Sequence, residues 1–347
     1  MPRLDLLKED AQRALRGVPV DLLVGKTVLI TGASGIVGTH LLYALHHCQT
    51  VLGLPVQVVG VVRRTPAHLA PLSSAGRLWF LEGDLVEPHF LGGLPEADFI
   101  VHAATYGQPG RFLAEAAGTL RLNTTVTFAL LERLRPGGGF LFLSSSEVYS
   151  GLGGPPFTED QIGTTGPTHP RACYIEGKRC GEAICQAHRD KGAAVRAARL
   201  SLAYGPGIRP GDQRVLHSFI ERGLREGVIR LRDRGEARRT YCYVADAAHM
   251  LWRILLEGKQ LLYNVGGTSR TTIAELATLV GGLLETPVVF PAPAEAGGAA
   301  GAPDEVCLDL TRFREEFGAP DYLPLSEGVA RTIAWQRSLC AAAGPQP

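Results

Sequence analysis

Short apolar runs alternate with longer segments of helical periodicity along the first 200 residues. The apolar runs predict strands buried on both faces, at 26–31, 56–62, 78–83, 98–104, 139–145 and 193–200. Helical patterns lie between some of them, at 36–48, 112–135 and 172–191. This alternation predicts a doubly wound α/β fold, in which helices cover both faces of a parallel sheet.

The two ends of the chain depart from this pattern. Residues 1–25 predict an N-terminal helical extension, because Leu4, Leu7, Ala11 and Leu15 have the spacing of a short amphipathic helix. After the main domain, 26–202, the pattern loosens, and 291–303 is a low-complexity loop. We expect 203–347 to form most of a smaller α/β substrate domain, with 239–266 returning to the main domain.

Composition narrows the range of partners. The 347 residues carry a net charge of +1, which indicates neither nucleic acid nor an anionic membrane surface as a partner. No apolar run reaches the roughly 18 residues of a membrane span. The seven cysteines show no CxxC spacing, which favours reduced thiols and a cytoplasmic protein.

A glycine-rich turn follows the first predicted strand. Gly32, Gly35 and Gly38 stand in TVLITGASGIVGTH, between a strand and an apolar helix. Glycines let the backbone approach a pyrophosphate, which then lies at the helix N-terminus. The turn therefore predicts a dinucleotide site, to which Ser34, Ile36 and Val37 also belong.

The end of the second predicted strand bears on whether the dinucleotide is NAD or NADP. The strand ends in Arg63 and Arg64, where an acid usually binds the adenosine ribose. The arginines are either solvated, with NAD bound regardless, or they accept the 2′-phosphate of NADP. Further cofactor residues are expected at later strand ends and on the following helix: Asp84, Leu85, Ala103, Ala104, Thr105 and Asn123.

Tyr174 and Lys178 form a YxxxK pair, which lies on one face of a helix. An ammonium group and a nicotinamide cation near the phenol favour phenolate, so we expect a lowered pKa for Tyr174. Tyr174 can then take a proton from an alcohol while hydride leaves the same carbon. Three hydroxyls, from Ser144 to Ser146, end a predicted strand about 29 residues earlier, and the crossover should bring one of them, Ser145, beside the phenol.

These motifs together resemble the extended short-chain dehydrogenase/reductase superfamily of nucleotide-sugar enzymes. The resemblance covers about residues 26–340. It implies a Rossmann domain, bound NAD, a nucleotide-sugar substrate and a homodimer whose four-helix interface uses the helices at 112–135 and 172–191. No metal ligand cluster is visible, and none is required.

The next residues indicate the chemistry at the sugar. Ser146-Glu147, PRACYIEGKR (170–179) and RRTYCYVADA (238–247) resemble the segments of UDP-glucuronate decarboxylases. The resemblance implies five catalytic residues, Ser145, Glu147, Tyr174, Lys178 and Arg239. It implies a substrate site formed by Ser146, Gln108, Arg111, Arg171, Arg214 and Arg239.

At two places the sequence differs from the segments with which these decarboxylases contact the nucleotide. Leu202 stands where these decarboxylases usually have Asn, and GAPDEV lacks their arginine near residue 300. Arg214, Arg209 or the arginines of 222–239 could grip the diphosphate instead. A nucleotide-sugar 4-epimerase, a 4,6-dehydratase and a non-catalytic NAD(P)-binding protein remain as alternatives.

Overall fold

The chain folds around one large parallel sheet and several small ones. The computed structural model describes residues 2–75, 77–291 and 305–343, so the loop predicted at 291–303 lies outside the described residues except for Pro291. In chain order the strands are β1 (Thr27–Thr31), β2 (Gln57–Val62), β3 (Leu78–Glu82), β4 (Ala97–His102), β5 (Leu134–Ser145), β6 (Ala194–Leu200), β7 (Leu202–Tyr204), β8 (Ile229–Arg230), β9 (Arg238–Arg239), β10 (Tyr241–Tyr243), β11 (Leu262–Val265), β12 (Thr271–Thr272), β13 (Val288–Val289) and β14 (Glu305–Val306).

Helices connect most of these strands. They are α1 (Pro2–Ala14), α2 (Ile36–Thr50), α3 (Pro88–Gly92), α4 (Pro109–Ala114), α5 (Ala116–Asn123), α6 (Thr125–Leu131), α7 (Ala172–Arg189), α8 (Val215–Glu226), α9 (Val244–Glu257), α10 (Ile273–Leu284), α11 (Thr311–Phe317) and α12 (Leu325–Ala343). None of these described helices is both long enough and apolar enough to cross a membrane.

The large sheet has the order β11-β6-β5-β4-β1-β2-β3, and every pairing in it is parallel. Strands β1 and β5 lie in its middle, and all of β1 is buried. This confirms the predicted doubly wound α/β fold. In such a sheet, ligands bind outside the carboxyl ends of the strands, where the order reverses between β1 and β4.

Two local predictions were wrong. The segment 78–83 is not buried on both faces, since Leu78 alone among the residues of β3 is fully buried and Trp79 is 39% exposed. In the described part of the chain β3 is the last strand of the sheet, where the covering layers end. The helix predicted over 112–135 is broken at Glu115 and Thr124, and its end belongs to β5. The Thr124 hydroxyl donates to the Leu120 carbonyl, one of several local bonds by which hydroxyls compete with a regular helix.

Part of the chain after β6 packs around a separate apolar core, and we call this part the C-terminal lobe. Its described residues include the small sheets β7 with β10, β9 with β12 and β14, and β8 with β13. Helices α8, α10 and α12 enclose an apolar core that includes Phe219, Leu276 and Ile333. Strand β11 leaves this lobe and pairs with β6 in the large sheet.

Helix α1 is joined to the rest of the protein by a buried acid. Asp10 is 1% exposed, and its carboxylate lies 3.1 Å from Nε2 of His40 on α2. It also accepts hydrogen bonds of 2.9 Å from the Tyr243 hydroxyl and from Arg331 on α12. One carboxylate therefore connects the first helix, the helix after the glycine turn and the last helix.

Candidate functional site

The glycine turn forms a tight cradle between β1 and α2. Gly32 has φ +64°, and a Cβ there would lie 2.6 Å from the carbonyl of Ala103. A Cβ on Gly38 would lie 2.5 Å from the Gly32 carbonyl oxygen. Gly35 is the N-cap residue of α2 and, as a glycine, provides no side-chain cap for the first N–H groups of the helix. These residues fit a dinucleotide pyrophosphate, since helix N–H groups and the helix dipole favour an anion there.

The backbone after β4 is held beside this cradle by two buried residues that the motifs did not single out. His102 Nε2 lies 2.8 Å from the Leu122 carbonyl, and its Nδ1 lies 2.7 Å from the Thr31 hydroxyl. Burial lowers the pKa of His102 to about 3, so the ring is neutral. Nε2 must then donate to Leu122, and Thr31 must donate to Nδ1. Ala104 in turn donates its N–H to the Thr31 oxygen at 3.3 Å.

The other predicted cofactor residues lie near the same edge of the sheet. Asn123 donates to the Thr105 hydroxyl at 3.2 Å, and its own buried Oδ1 has no hydrogen-bond partner among the described residues. Asp84 accepts from the N–H of Val86 at 3.1 Å, and Leu85 is buried. Arg63 lies over the ring of Tyr106 on the loop after β4.

The YxxxK pair meets the end of β5. Tyr174 is 9% exposed, and the Ser145 side chain is close enough to its hydroxyl to act on the pKa of the phenol. Its ring stacks on Phe112, with centroids 4.8 Å apart and planes inclined by 16°. The Lys178 ammonium donates to the Leu143 carbonyl at 2.6 Å and lies 5.8 Å from the Tyr174 ring centroid. Ser145, Tyr174 and Lys178 are therefore together, with Phe112 holding the phenol in place.

The protein groups alone raise the pKa of Tyr174, so its lowering beside a nicotinamide cation stays a prediction. Burial raises the pKa of Tyr174 to about 12, although the Ser145 side chain opposes this. Burial also lowers the pKa of Lys178 to about 7, so the ammonium is a weaker source of positive charge than we expected. Of the two cations invoked for the phenolate, only Lys178 belongs to the chain, and burial partly discharges it at neutral pH.

Glu147 lies beside this group in an ion pair. Its carboxylate is 2.8 Å from the guanidinium of Arg171, and both side chains are about one-fifth exposed, at 20% and 18%. Burial raises the pKa of Glu147, while the positive charges of Arg171, Arg239 and His169 oppose the rise. Arg171 also lies over the ring of Phe112 at 5.5 Å. The structure thus pairs Glu147 with Arg171 near Tyr174, and the charge of Arg239 acts on Glu147 from farther away.

Ser144, the neighbour of Ser145, belongs to a buried polar network instead. Its hydroxyl donates to Glu182 at 2.5 Å, and Glu182 accepts two hydrogen bonds from Arg199, of 2.9 and 2.8 Å. Arg199 also donates to the hydroxyl of Tyr149 at 2.9 Å. Ser146 begins the 3₁₀ turn Ser146–Tyr149 that carries Glu147. The network holds the end of β5 in place, and the side chains of Ser144 and Ser145 point to opposite faces of the sheet there.

The remaining predicted substrate residues separate into two places. Arg214 makes a bidentate pair with the buried Asp212, at 3.0 and 2.9 Å, and Gln108 donates to the same carboxylate at 2.8 Å. Asp212 was missed by sequence reasoning, because nothing in DQR marks its aspartate as buried. Arg111 does not join this group and lies 5.9 Å from the ring centroid of Tyr106.

No group of three or more metal-binding side chains occurs in the described part of the chain. The site consists of a phosphate cradle, a buried Ser-Tyr-Lys group and a paired carboxylate at one edge of a parallel sheet. This combination defines an NAD-dependent enzyme of the extended short-chain dehydrogenase/reductase type. Residues 28–266 match the NAD dependent epimerase/dehydratase family, and the chain belongs to it.

Three proteins that are similar to this chain are named for three different reactions. The chain is 30% identical over 318 residues to UDP-glucuronic acid decarboxylase 1 of Xenopus tropicalis, covering 90% of this chain and 72% of that protein. A dTDP-glucose 4,6-dehydratase, DesIV of Streptomyces venezuelae, solved with NAD and TYD bound, has a TM-score of 0.78 at 24% identity, covering 91% of this chain and 98% of the other. A UDP-glucuronic acid 4-epimerase from Bacillus cereus, solved with UDP-glucuronic acid and NAD, has a TM-score of 0.74 at 22% identity, covering 90% and 99%. Both structures share the fold.

Proposed function

We propose that the protein decarboxylates a nucleotide-linked hexuronate such as UDP-glucuronate and recycles its own NAD. The observation that carries this proposal is the Glu147–Arg171 pair, with Arg239 in electrostatic reach, near Ser145 and Tyr174. A carboxylate and two guanidinium groups there suit chemistry at C5 and C6 of a sugar whose C4 hydroxyl faces Tyr174. The similarity to a decarboxylase over most of the chain supports the same conclusion.

The first half of the reaction would oxidise C4. Bound NAD supplies the acceptor for the C4 hydride and returns that hydride at the end. Tyr174 takes the proton of the C4 hydroxyl, and Ser145 holds the oxygen by a hydrogen bond. The ketone formed is β to the C6 carboxylate.

The second half would break the bond between C5 and C6. CO2 leaves, and the bonding electrons move into an enolate on the C4 oxygen, which Ser145 and Tyr174 stabilise as donors. Arg239 orients the carboxylate before it leaves, and C5 takes a proton from a solvent water that Glu147 positions. Tyr174 finally returns its proton to the C4 oxygen, which gives a pentose nucleotide.

Product analysis tests this proposal directly. The purified protein with UDP-glucuronate should release CO2 and form a nucleotide lighter by that mass, and Tyr174→Phe should abolish both signals. A product of unchanged mass would identify a 4-epimerase, and loss of water would identify a dehydratase. Binding of NAD and sugar nucleotide without turnover would point to a non-catalytic binding protein.

We also propose that the protein is a homodimer through helices α4 to α7. Three apolar side chains on α4 to α6 are substantially exposed, Leu113 at 46%, Leu120 at 40% and Phe128 at 48%. A four-helix interface would bury them. Light scattering should give twice the chain mass, and Phe128→Glu should reduce it to the mass of one chain. A monomeric wild-type protein would refute this.

We further propose a cytoplasmic location. All seven cysteines are free thiols, which supports a reducing compartment. Fractionation of the source cells should place the protein with cytoplasmic enzymes, and recovery outside them would contradict the proposal.

A further inference from the structure

Arg209 reaches from the C-terminal lobe into the glycine cradle. It lies between β7 and α8, yet its guanidinium donates to the carbonyl of Ser34 at 3.1 Å and to the Ser34 hydroxyl at 2.5 Å. Ser34 is 7% exposed and directly precedes Gly35, the N-cap of α2. A side chain from one lobe thus stands at the helix N-terminus that the other lobe presents to a phosphate.

Two other arginines gather near Arg209. Arg63 donates to the hydroxyl of Tyr106 at 3.4 Å, and the guanidinium carbons of Arg63 and Arg111 lie 5.2 and 5.9 Å from the ring centroid of Tyr106. Burial lowers the pKa of Arg209, and the positive charges of Arg63 and Arg111 lower it further. The three guanidinium groups therefore lie close enough to repel one another.

These three arginines have no acidic partner within the described ranges. There, no carboxylate oxygen lies within 4.0 Å of their guanidinium nitrogens. By contrast, Arg171 pairs with Glu147, and Arg214 pairs with Asp212. Three like charges without a carboxylate, next to the N-terminus of a 15-residue helix, form a site for an anion.

We propose that Arg209 is a cofactor-binding residue that contacts a phosphate of the dinucleotide, while Arg63 and Arg111 add to the positive field around that phosphate. The hydrogen bonds to Ser34 hold the guanidinium beside the first N–H groups of α2. A phosphate there would accept hydrogen bonds from both, and charge-assisted bonds of this kind are strong. The phosphate belongs either to the pyrophosphate, which NAD and NADP share, or to the 2′-position, which NADP alone carries.

The proposal also connects the two lobes. Arg209 lies on the same loop as Asp212 and shortly before Arg214, which we assign to the substrate. Cofactor binding would therefore fix the position of a loop that holds part of the sugar-nucleotide site. This does not depend on which reaction the enzyme performs.

The test measures binding rather than turnover. Full-length protein stripped of cofactor is titrated with NAD and with NADP by fluorescence, and the melting temperature is recorded with and without each. Arg209→Gln should weaken binding by about tenfold or more and should shrink the cofactor-induced rise in melting temperature. Arg209→Lys should recover part of the affinity, since it restores a point charge.

A matched control removes the same charge elsewhere in the same lobe. Arg270 is 56% exposed and pairs with Glu305, and Arg270→Gln should leave both affinities unchanged. Unchanged melting of cofactor-free Arg209→Gln would show that the variant is folded. Equal losses for NAD and NADP place the contact at the pyrophosphate, and a loss confined to NADP places it at the 2′-phosphate. Dissociation constants within about twofold of wild type for both dinucleotides would overturn the proposal.

Discussion

Ser144 and Ser145 are consecutive residues whose hydroxyls serve opposite sides of β5. Ser144 donates to the buried carboxylate of Glu182 at 2.5 Å, whereas Ser145 lies near the hydroxyl of Tyr174 and lowers the pKa of that phenol. The alternation of side chains along a strand separates a stabilising hydroxyl from a reacting one.

This relationship predicts opposite effects of two alanine substitutions. Ser144→Ala should lower the free energy of unfolding by about 1–3 kcal/mol, because Glu182 loses a buried donor, and should change kcat by less than about twofold. Ser145→Ala should lower kcat by about 100-fold or more, with a smaller effect on stability. Urea denaturation and initial rates measure both quantities, and a large loss of kcat in Ser144→Ala would contradict the assignment.

Glu147→Gln should separate the two halves of the proposed reaction. The amide keeps the shape of the side chain but cannot carry the charge, so C4 oxidation should proceed and decarboxylation should slow by about 100-fold or more. Reduced cofactor should then accumulate, visible in its near-ultraviolet absorbance after one turnover. Glu221→Gln, at an exposed ion pair on α8, is the control and should behave as wild type. Wild-type turnover in Glu147→Gln would remove Glu147 from the mechanism.

Arg171→Gln should change the pH dependence of the reaction. Burial raises the pKa of Glu147, and Arg171 opposes that rise, so removing the guanidinium should raise the pKa further. If the ionised carboxylate is the active form, the acidic limb of the pH profile of kcat/KM moves to higher pH. An acidic limb that stays in place, or that moves to lower pH, would show that Arg171 does not set the charge of Glu147.

Lys178→Met should alter stability in a pH-dependent way. Burial lowers the pKa of Lys178 from 10.5 to about 7, so between these values the unfolded chain binds more protons at this residue than the folded chain does. The energetic penalty of burying Lys178 is therefore full below about pH 7 and disappears as the pH approaches 10.5. Relative to wild type, the methionine variant should be most stable at about pH 6 and below, and more than half of that advantage should be lost by about pH 9.

The comparison uses the difference in free energy of unfolding between variant and wild type at each pH. Loss of the hydrogen bond to the Leu143 carbonyl adds an offset that is the same at both values. Lys259→Met, at an exposed position, should show no such trend. A constant difference for Lys178→Met would mean that the folded lysine keeps its ordinary pKa.

Sequence reasoning could predict the features that depend on neighbouring residues. The glycine turn, the YxxxK pair and the parallel strands each follow from patterns within a few turns of chain, and the structure has the predicted sheet. The edge position of β3 was missed because burial depends on which strands are neighbours. Likewise, Asp212 beside Arg214 and Arg209 beside Ser34 result from packing between elements distant in sequence.

The acidity of Tyr174 shows a further limit. The motif gives the identity of the groups near the phenol, but the pKa values depend on how deeply both side chains are buried. Burial acts on the phenol and the ammonium in opposite directions, raising one pKa and lowering the other. Only the folded arrangement gives the size of that effect.

The contacts of Asp10 bear on how the protein unfolds. Asp10 belongs to α1, and its carboxylate contacts His40 on α2 and Arg331 on α12. Separating any of these helices would leave a buried charge without its partner, which costs free energy. Helix α2, which follows the glycine turn, and helix α12 should therefore unfold together in one cooperative transition. Unfolding of the C-terminal lobe and loss of cofactor binding should then occur as a single event.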